Sequence, residues 1–224
     1  MDLVLYEEGS AQQVAMFIIC LHFGKLILET MFLHRMAGKM ISLNRTLWQI
    51  LFYWFGLGGV VGYTLFHPNY KPSFLFTDIE GEDRLVFGVV ASLLFLGAEF
   101  MNLMCHSHFS NMEEKMAAAV LHRNAEAQQD KRSRARRSYL VSSISKFAIL
   151  KDHGFSLVTC ADWMWEFVAW ACFGLIVQTM ACNIFVLLWF VWHNSKARDR
   201  HWRYIAEYQN MYPHERRAFI PYLW

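Results

Sequence analysis

The sequence predicts an all-α integral membrane protein, and three observations carry that prediction. Of its 224 residues 55% are hydrophobic and 17% aromatic, and the apolar residues are bunched into runs instead of recurring at an amphipathic period. Several runs reach the roughly 20 residues needed to cross a hydrocarbon core of about 30 Å. Between them lie polar stretches with prolines and clustered charge. The net charge of +2 gives no electrostatic case for a nucleic-acid partner. Five cysteines (Cys20, Cys105, Cys160, Cys172, Cys182) are odd in number and lack C-x-x-C spacing, so buried thiols are expected, not disulfides or a metal site. The start, MDLVLYEEGSAQQ, is acidic where a cleavable signal or presequence is basic, so none is expected.

The first expected span covers residues 14–33 and carries His22, Lys25 and Glu29. Lys25 and Glu29 are four apart and can neutralise each other across one helical turn. Intramembrane ionisable residues also point to a site, so both readings stand. The second span, 47–66, holds Gly58 and Gly62 in G-x-x-x-G spacing, which lets two helix backbones approach closely. Pro68 and Pro72 break the helix that follows, and Asp78, Glu80, Glu82 and Asp83 precede a third span, 85–105, with Glu99 and Asn102 inside it.

Residues 106–160 are expected to be an extramembrane insertion. Within it MEEKMAAAVLHRNAEAQQ reads as a helix, and Lys131, Arg132, Arg134, Arg136 and Arg137 form a basic cluster suited to phospholipid headgroups. Next comes GFSLVTCADWMWE, residues 154–166, in which Asp162 and Glu166 lie on one helix face at the mouth of an apolar run. An acidic helix cap and a functional pair are both consistent with that placement. The run 163–192 would extend about 45 Å as one helix, too long for a membrane without strong tilt. No Pro or Gly marks a break between Gln178 and Ala181.

The chain ends in His201-Trp202-Arg203-Tyr204, Tyr212-Pro213, Arg217 and Ile220-Pro221-Tyr222-Leu223. This resembles the steroid 5α-reductase superfamily, with its H-x-x-Y, Y-P, basic and I-P-x-[FL] steps. HFGKLILETMFLHR (22–35), Tyr53-Trp54, His67-Pro68-x-Tyr70-x-Pro72 and Asn102-x-x-x-His106 sharpen the resemblance to very-long-chain trans-2-enoyl-CoA reductase. The family's ubiquitin-like N-terminal domain has no counterpart in this sequence. The resemblance implies five spans, with a tight hairpin dividing 163–178 from 181–196. On that topology the loop with Arg35, Lys39 and Arg45, the basic insertion and the segment from Lys196 to Arg217 share the positive side, cytosol or mitochondrial matrix.

The resemblance also implies site residues. Lys25 matches the catalytic lysine, whereas the family's C-P-N-Y-x-x-E stands here as Cys160-Ala161-Asp162-Trp163-Met164-Trp165-Glu166. The tyrosine that would act with the lysine is Trp163, whose indole N–H donates a hydrogen bond but releases no proton. Asp162, Glu166, His201, Tyr204 and Arg217 match positions that line NADPH in the family. Arg200 replaces a family histidine, and Glu113 stands where a basic residue is usual. Three functions compete. The first is a catalytically silent relative acting as a structural subunit of a larger membrane complex, such as a mitochondrial inner-membrane respiratory or ATP synthase complex, without cofactor. The second is an active NADPH-dependent reductase of the C=C bond of an enoyl-CoA or related lipid, in the endoplasmic reticulum. The third is a non-enzyme whose old pocket holds a lipid or nucleotide.

Overall fold

Long apolar runs with few breakers fold as long helices, and a computed structural model of the chain, which describes residues 10–33, 42–70, 82–129 and 149–222, has five of them. Helix α1 is Ser10–Phe32. Helix α2 is continuous but changes pitch: α-helical over Leu43–Ile50, a π-helix over Leu51–Val61 and α-helical again over Gly62–Leu65. Helix α3 is Glu82–Gln129, α4 is Ala161–Val177 and α5 is Met180–Tyr208, followed by one 3₁₀ turn, Gln209–Met211. Among the described residues the extended backbone is limited to one parallel bridge, Val158 to Arg217.

Several boundaries differ from those expected. Helix α3 joins the expected third span, 85–105, and the helix expected inside the 106–160 insertion in one unbroken helix, and its apolar stretch reaches Met112. Among the described residues two helices, Ala11–Phe32 and Val86–Met112, are long and apolar enough to cross a membrane. The basic cluster Lys131, Arg132, Arg134, Arg136 and Arg137 lies outside the described residues, as do Arg35, Lys39, Pro72, Asp78 and Glu80.

The chain does break between residues 178 and 179. Gln178 takes a positive φ of 50° and closes α4 through its N–H to the Gly174 carbonyl at 2.9 Å. Thr179 then caps α5, its Oγ1 accepting from the Cys182 N–H at 3.2 Å. A threonine cap and a left-handed glutamine thus do what the absent Pro or Gly would have done. The two helices meet closely, since a Cβ on Gly174 would lie 3.3 Å from Asn183 Oδ1.

Two compact units share these helices, residues 1–100 with 165–193 and residues 101–164 with 194–224. In the first unit an aromatic core forms around Trp170, whose ring meets His22, Tyr53, Phe173 and Phe185 at centroid distances of 4.9 to 6.3 Å. In α2 it is Gly56, outside the G-x-x-x-G pair, that is set against another helix, where a Cβ would lie 3.5 Å from the Phe185 ring. A Cβ on Gly58 or Gly62 would meet only its own helix backbone, so that pair is spent on the wide π turn. Outward faces carry Phe17, Ile27, Met31, Trp54, Phe55, Leu93 and Leu187, all exposed, as a lipid-facing surface requires. In the second unit Phe155, Val158, Cys160, Tyr212 and Phe219 are buried around the 158–217 bridge.

Candidate functional site

Among the described residues each unit holds a buried polar cluster. In the first, α1 presents His22, Lys25 and Glu29 at helical spacing on one face, and α3 supplies Glu99. Lys25 Nζ lies 3.4 Å from Glu29, the expected partner, but only 2.7 Å from Glu99 Oε2. The other Glu99 oxygen is 2.7 Å from His22 Nδ1. His22, Glu29 and Glu99 are each less than 5% exposed. A charge at that depth persists only when paired, so one lysine held between two carboxylates is a fixed, low-entropy hydrogen-bond donor. Sequence reasoning paired Lys25 with Glu29 alone. Glu99 is 74 positions away from Lys25, and only the packing of α3 on α1 reveals it.

Tyr53 belongs to the same unit. Its hydroxyl accepts from Trp189 Nε1 at 2.9 Å, which leaves its own proton available. Glu166, also of this unit, is within Coulombic reach of that hydroxyl.

The second cluster starts at the N-terminus of α4. Asn102 donates through Nδ2 to the Asp162 carbonyl at 2.8 Å and so anchors the first turn. Asp162, 5% exposed, receives both of its close contacts from Arg200 of α5, whose Nη1 is 3.3 Å from Oδ1 and 3.1 Å from Oδ2. The same guanidinium lies over the Trp163 ring, 3.8 Å from its centroid. Burial opposes the charge on Arg200, yet the Asp162 carboxylate beside it holds its pKa above the ordinary value. Burial pushes the Cys160 thiol, two residues before Asp162, up to about 12, so it stays a protonated thiol.

Thr159 Oγ1 joins the remaining groups. It is 2.6 Å from His201 Nδ1, 2.5 Å from the Tyr212 hydroxyl and 3.1 Å from the Arg217 carbonyl, which it can only approach as a donor. Burial, then Arg216 and Arg217, lower the pKa of His201, so it is a neutral imidazole. Burial raises Tyr204 and Tyr212, which therefore keep their phenol protons. Arg217 contributes backbone to the bridge while its side chain is exposed; its neighbour Arg216 is the buried one, at 4%.

The structure thus brings together Asp162, Trp163 and Arg200, and separately His201, Tyr212 and Thr159, with the Tyr204 ring 6.1 Å from that of Tyr212. Lys25 and Glu166 belong to the first unit, and the Glu113 side chain lies outside what is described. Thr159 and Arg216 carried no signal in the sequence reading, although the alternation that the 158–217 bridge imposes turns Arg216 inward. At the hub a carboxylate, Asp162, occupies the amide position of the motif that the resemblance associates with NADPH, and the Arg200 guanidinium beside it is engaged by that carboxylate and the Trp163 indole.

Comparison with known proteins agrees with the motifs. Residues 128–224 match the family described as 3-oxo-5-alpha-steroid 4-dehydrogenase. The chain is 26% identical over 211 residues to a trans-2,3-enoyl-CoA reductase-like protein of Bos taurus, covering 94% of this chain and 49% of the relative. It is 25% identical over 219 residues to a probable very-long-chain enoyl-CoA reductase of Caenorhabditis elegans, covering 95% and 59%. With the very-long-chain enoyl-CoA reductase of Dictyostelium discoideum it shares 26% over 226 residues, covering 96% and 59%. The chain spans about half of the length of the curated relatives it matches.

Proposed function

We propose, for a chain that resembles steroid 5α-reductases in its C-terminal part and very-long-chain enoyl-CoA reductases along most of its length, that it is a catalytically silent membrane relative. Its role on this reading is that of a structural subunit in a larger membrane complex, in the mitochondrial inner membrane and in five spans. One observation carries the proposal. Asp162, Trp163 and Arg200, three positions at which the chain departs from the family pattern, satisfy one another: ion pair on one side of the guanidinium, indole face on the other. A decaying site would leave such groups unmatched and costly. A closed set is what a site converted to packing looks like. The phospholipid contacts proposed for Lys131, Arg132, Arg134, Arg136 and Arg137 belong to the same reading.

Reduction of an enoyl thioester needs a hydride, a hydrogen bond to the developing enolate oxygen and an acid for the α-carbon. NADPH, when bound, supplies the hydride. Trp163 supplies no proton. The test is NADPH oxidation by the purified chain in lipid with a long-chain trans-2-enoyl-CoA. No turnover above the protein-free rate is expected; turnover abolished by Lys25→Ala would overturn the proposal. That outcome would establish the second reading, an active NADPH-dependent double-bond reductase in the endoplasmic reticulum. The observation favouring it is the clamp of Glu99 and Glu29 on Lys25, which keeps a rigid donor in place.

A further inference from the structure

The Thr159 hydroxyl, on a residue only 2% exposed, has three polar neighbours, and together they fix the direction of each hydrogen bond it makes. A hydroxyl has one proton and two lone pairs. The Arg217 carbonyl, 3.1 Å away, can only accept, so the Thr159 proton is directed there. Both other neighbours must then donate. These are the Tyr212 O–H at 2.5 Å and His201 Nδ1 at 2.6 Å, which therefore carries a proton. Were the Thr159 proton directed at His201 instead, the Thr159 oxygen and the Arg217 carbonyl would face each other at 3.1 Å with no proton between them. Tyr212 does not replace Thr159 at the ring, since its hydroxyl is 3.5 Å from Nδ1.

The backbone sets where the hydroxyl points. Thr159 N–H donates to the same Arg217 carbonyl at 2.8 Å, Arg217 N–H to the Leu157 carbonyl at 3.0 Å and Cys160 N–H to the Ala218 carbonyl at 3.2 Å, all around the parallel bridge of residues 158 and 217. His201 arrives from α5, and Tyr212 follows the 3₁₀ turn after it. Burial, then Arg216 and Arg217, oppose a second proton on the imidazole, so the ring holds one.

We infer that Thr159 is a positioning residue that locks His201 as the Nδ1–H tautomer and leaves Nε2 as a lone-pair acceptor at the edge of a half-buried ring. Among the described residues Nε2 has no hydrogen-bond partner, and it is not sealed in the core. A group that docks at that edge must donate a hydrogen bond, because the ring offers none there. The tautomer is the same in a silent subunit and in an active reductase, so the inference does not depend on the proposed role.

The test is a long-range proton–nitrogen correlation spectrum of the full chain in detergent micelles, with isotopically labelled histidine nitrogens, at about pH 8, above the ordinary histidine pKa of about 6.5. Signals missing from His201→Gln belong to His201. Nε2 is the nitrogen that correlates strongly with both carbon-bound ring protons, and Nδ1 with one. In the wild type Nε2 is expected at the unprotonated end of the nitrogen range and Nδ1 at the protonated end. Thr159→Ser should keep that pattern. Thr159→Val, of the same shape without the hydroxyl, should lose it, the two shifts moving toward each other as the tautomers mix. A protonated Nε2 in the wild type, averaged shifts there, or an unchanged pattern in Thr159→Val overturns the inference. Should Thr159→Val not fold, the wild type and Thr159→Ser decide, and averaged shifts or a protonated Nε2 in either overturn it.

Discussion

Replacing Asp162 with asparagine restores the amide of the family motif and at the same time removes the partner of Arg200. Breaking a buried ion pair on one side costs about 3–5 kcal/mol, because the remaining charge is left uncompensated. Asp162 is fully inside, but the Arg200 side chain is 24% exposed and keeps the Trp163 ring at 3.8 Å. The low end applies, about 3 kcal/mol. For a chain of this size that lowers Tm by roughly 6–12 °C, readable in detergent by intrinsic tryptophan fluorescence. Arg200→His alone should cost a similar amount. The double substitution restores two family residues and leaves neither charge stranded, so it should also cost about 3 kcal/mol, giving a coupling energy of about 3 kcal/mol. Additive losses, or a Tm change under about 2 °C for Asp162→Asn, would refute the claim that these residues form one closed unit.

Three further outcomes are expected. Glu99→Gln removes the shorter of the two carboxylate contacts to Lys25 and the partner of His22, and should destabilise the protein by about 3 kcal/mol in chemical denaturation; Glu29→Gln, at 3.4 Å, should cost less. Gly174→Val pushes a branched side chain into Asn183 and should cost about 1–3 kcal/mol by overpacking, with Gly174→Ala milder, as measured by thermal melts. His201 has a lowered pKa in the fold, so the unfolded chain binds the proton more readily, and protonation favours unfolding. Its contribution is full above the ordinary value of about 6.5 and is lost as pH falls through the window below it. His201→Gln should therefore flatten the stability profile there, and an unchanged acid limb would count against a neutral His201.

The helices were legible where apolar runs were long, as in α1, and the coupling of Lys25 to Glu29 could be read from spacing alone. What the sequence hid was tertiary. Glu99 reaches Lys25 only because α3 packs on α1, and the Gly58–Gly62 spacing mimicked a helix contact while serving a π turn that no local propensity announces. The expected third span and the helix expected in the insertion are one helix, α3, because nothing in its polar second half breaks a helix and the change from apolar to charged residues does not stop it. At the hub the substitutions at 162, 163 and 200 could each be seen singly. That they answer one another is a fact of geometry, as is the choice between Arg216 and Arg217 as the buried arginine.

Native mass spectrometry of the gently solubilised protein from its own membrane tests the central claim most directly, reading other polypeptides and dinucleotide in one spectrum. A stoichiometric set of further subunits with no NADPH is the predicted result. A lone chain or homo-oligomer carrying NADPH would contradict it.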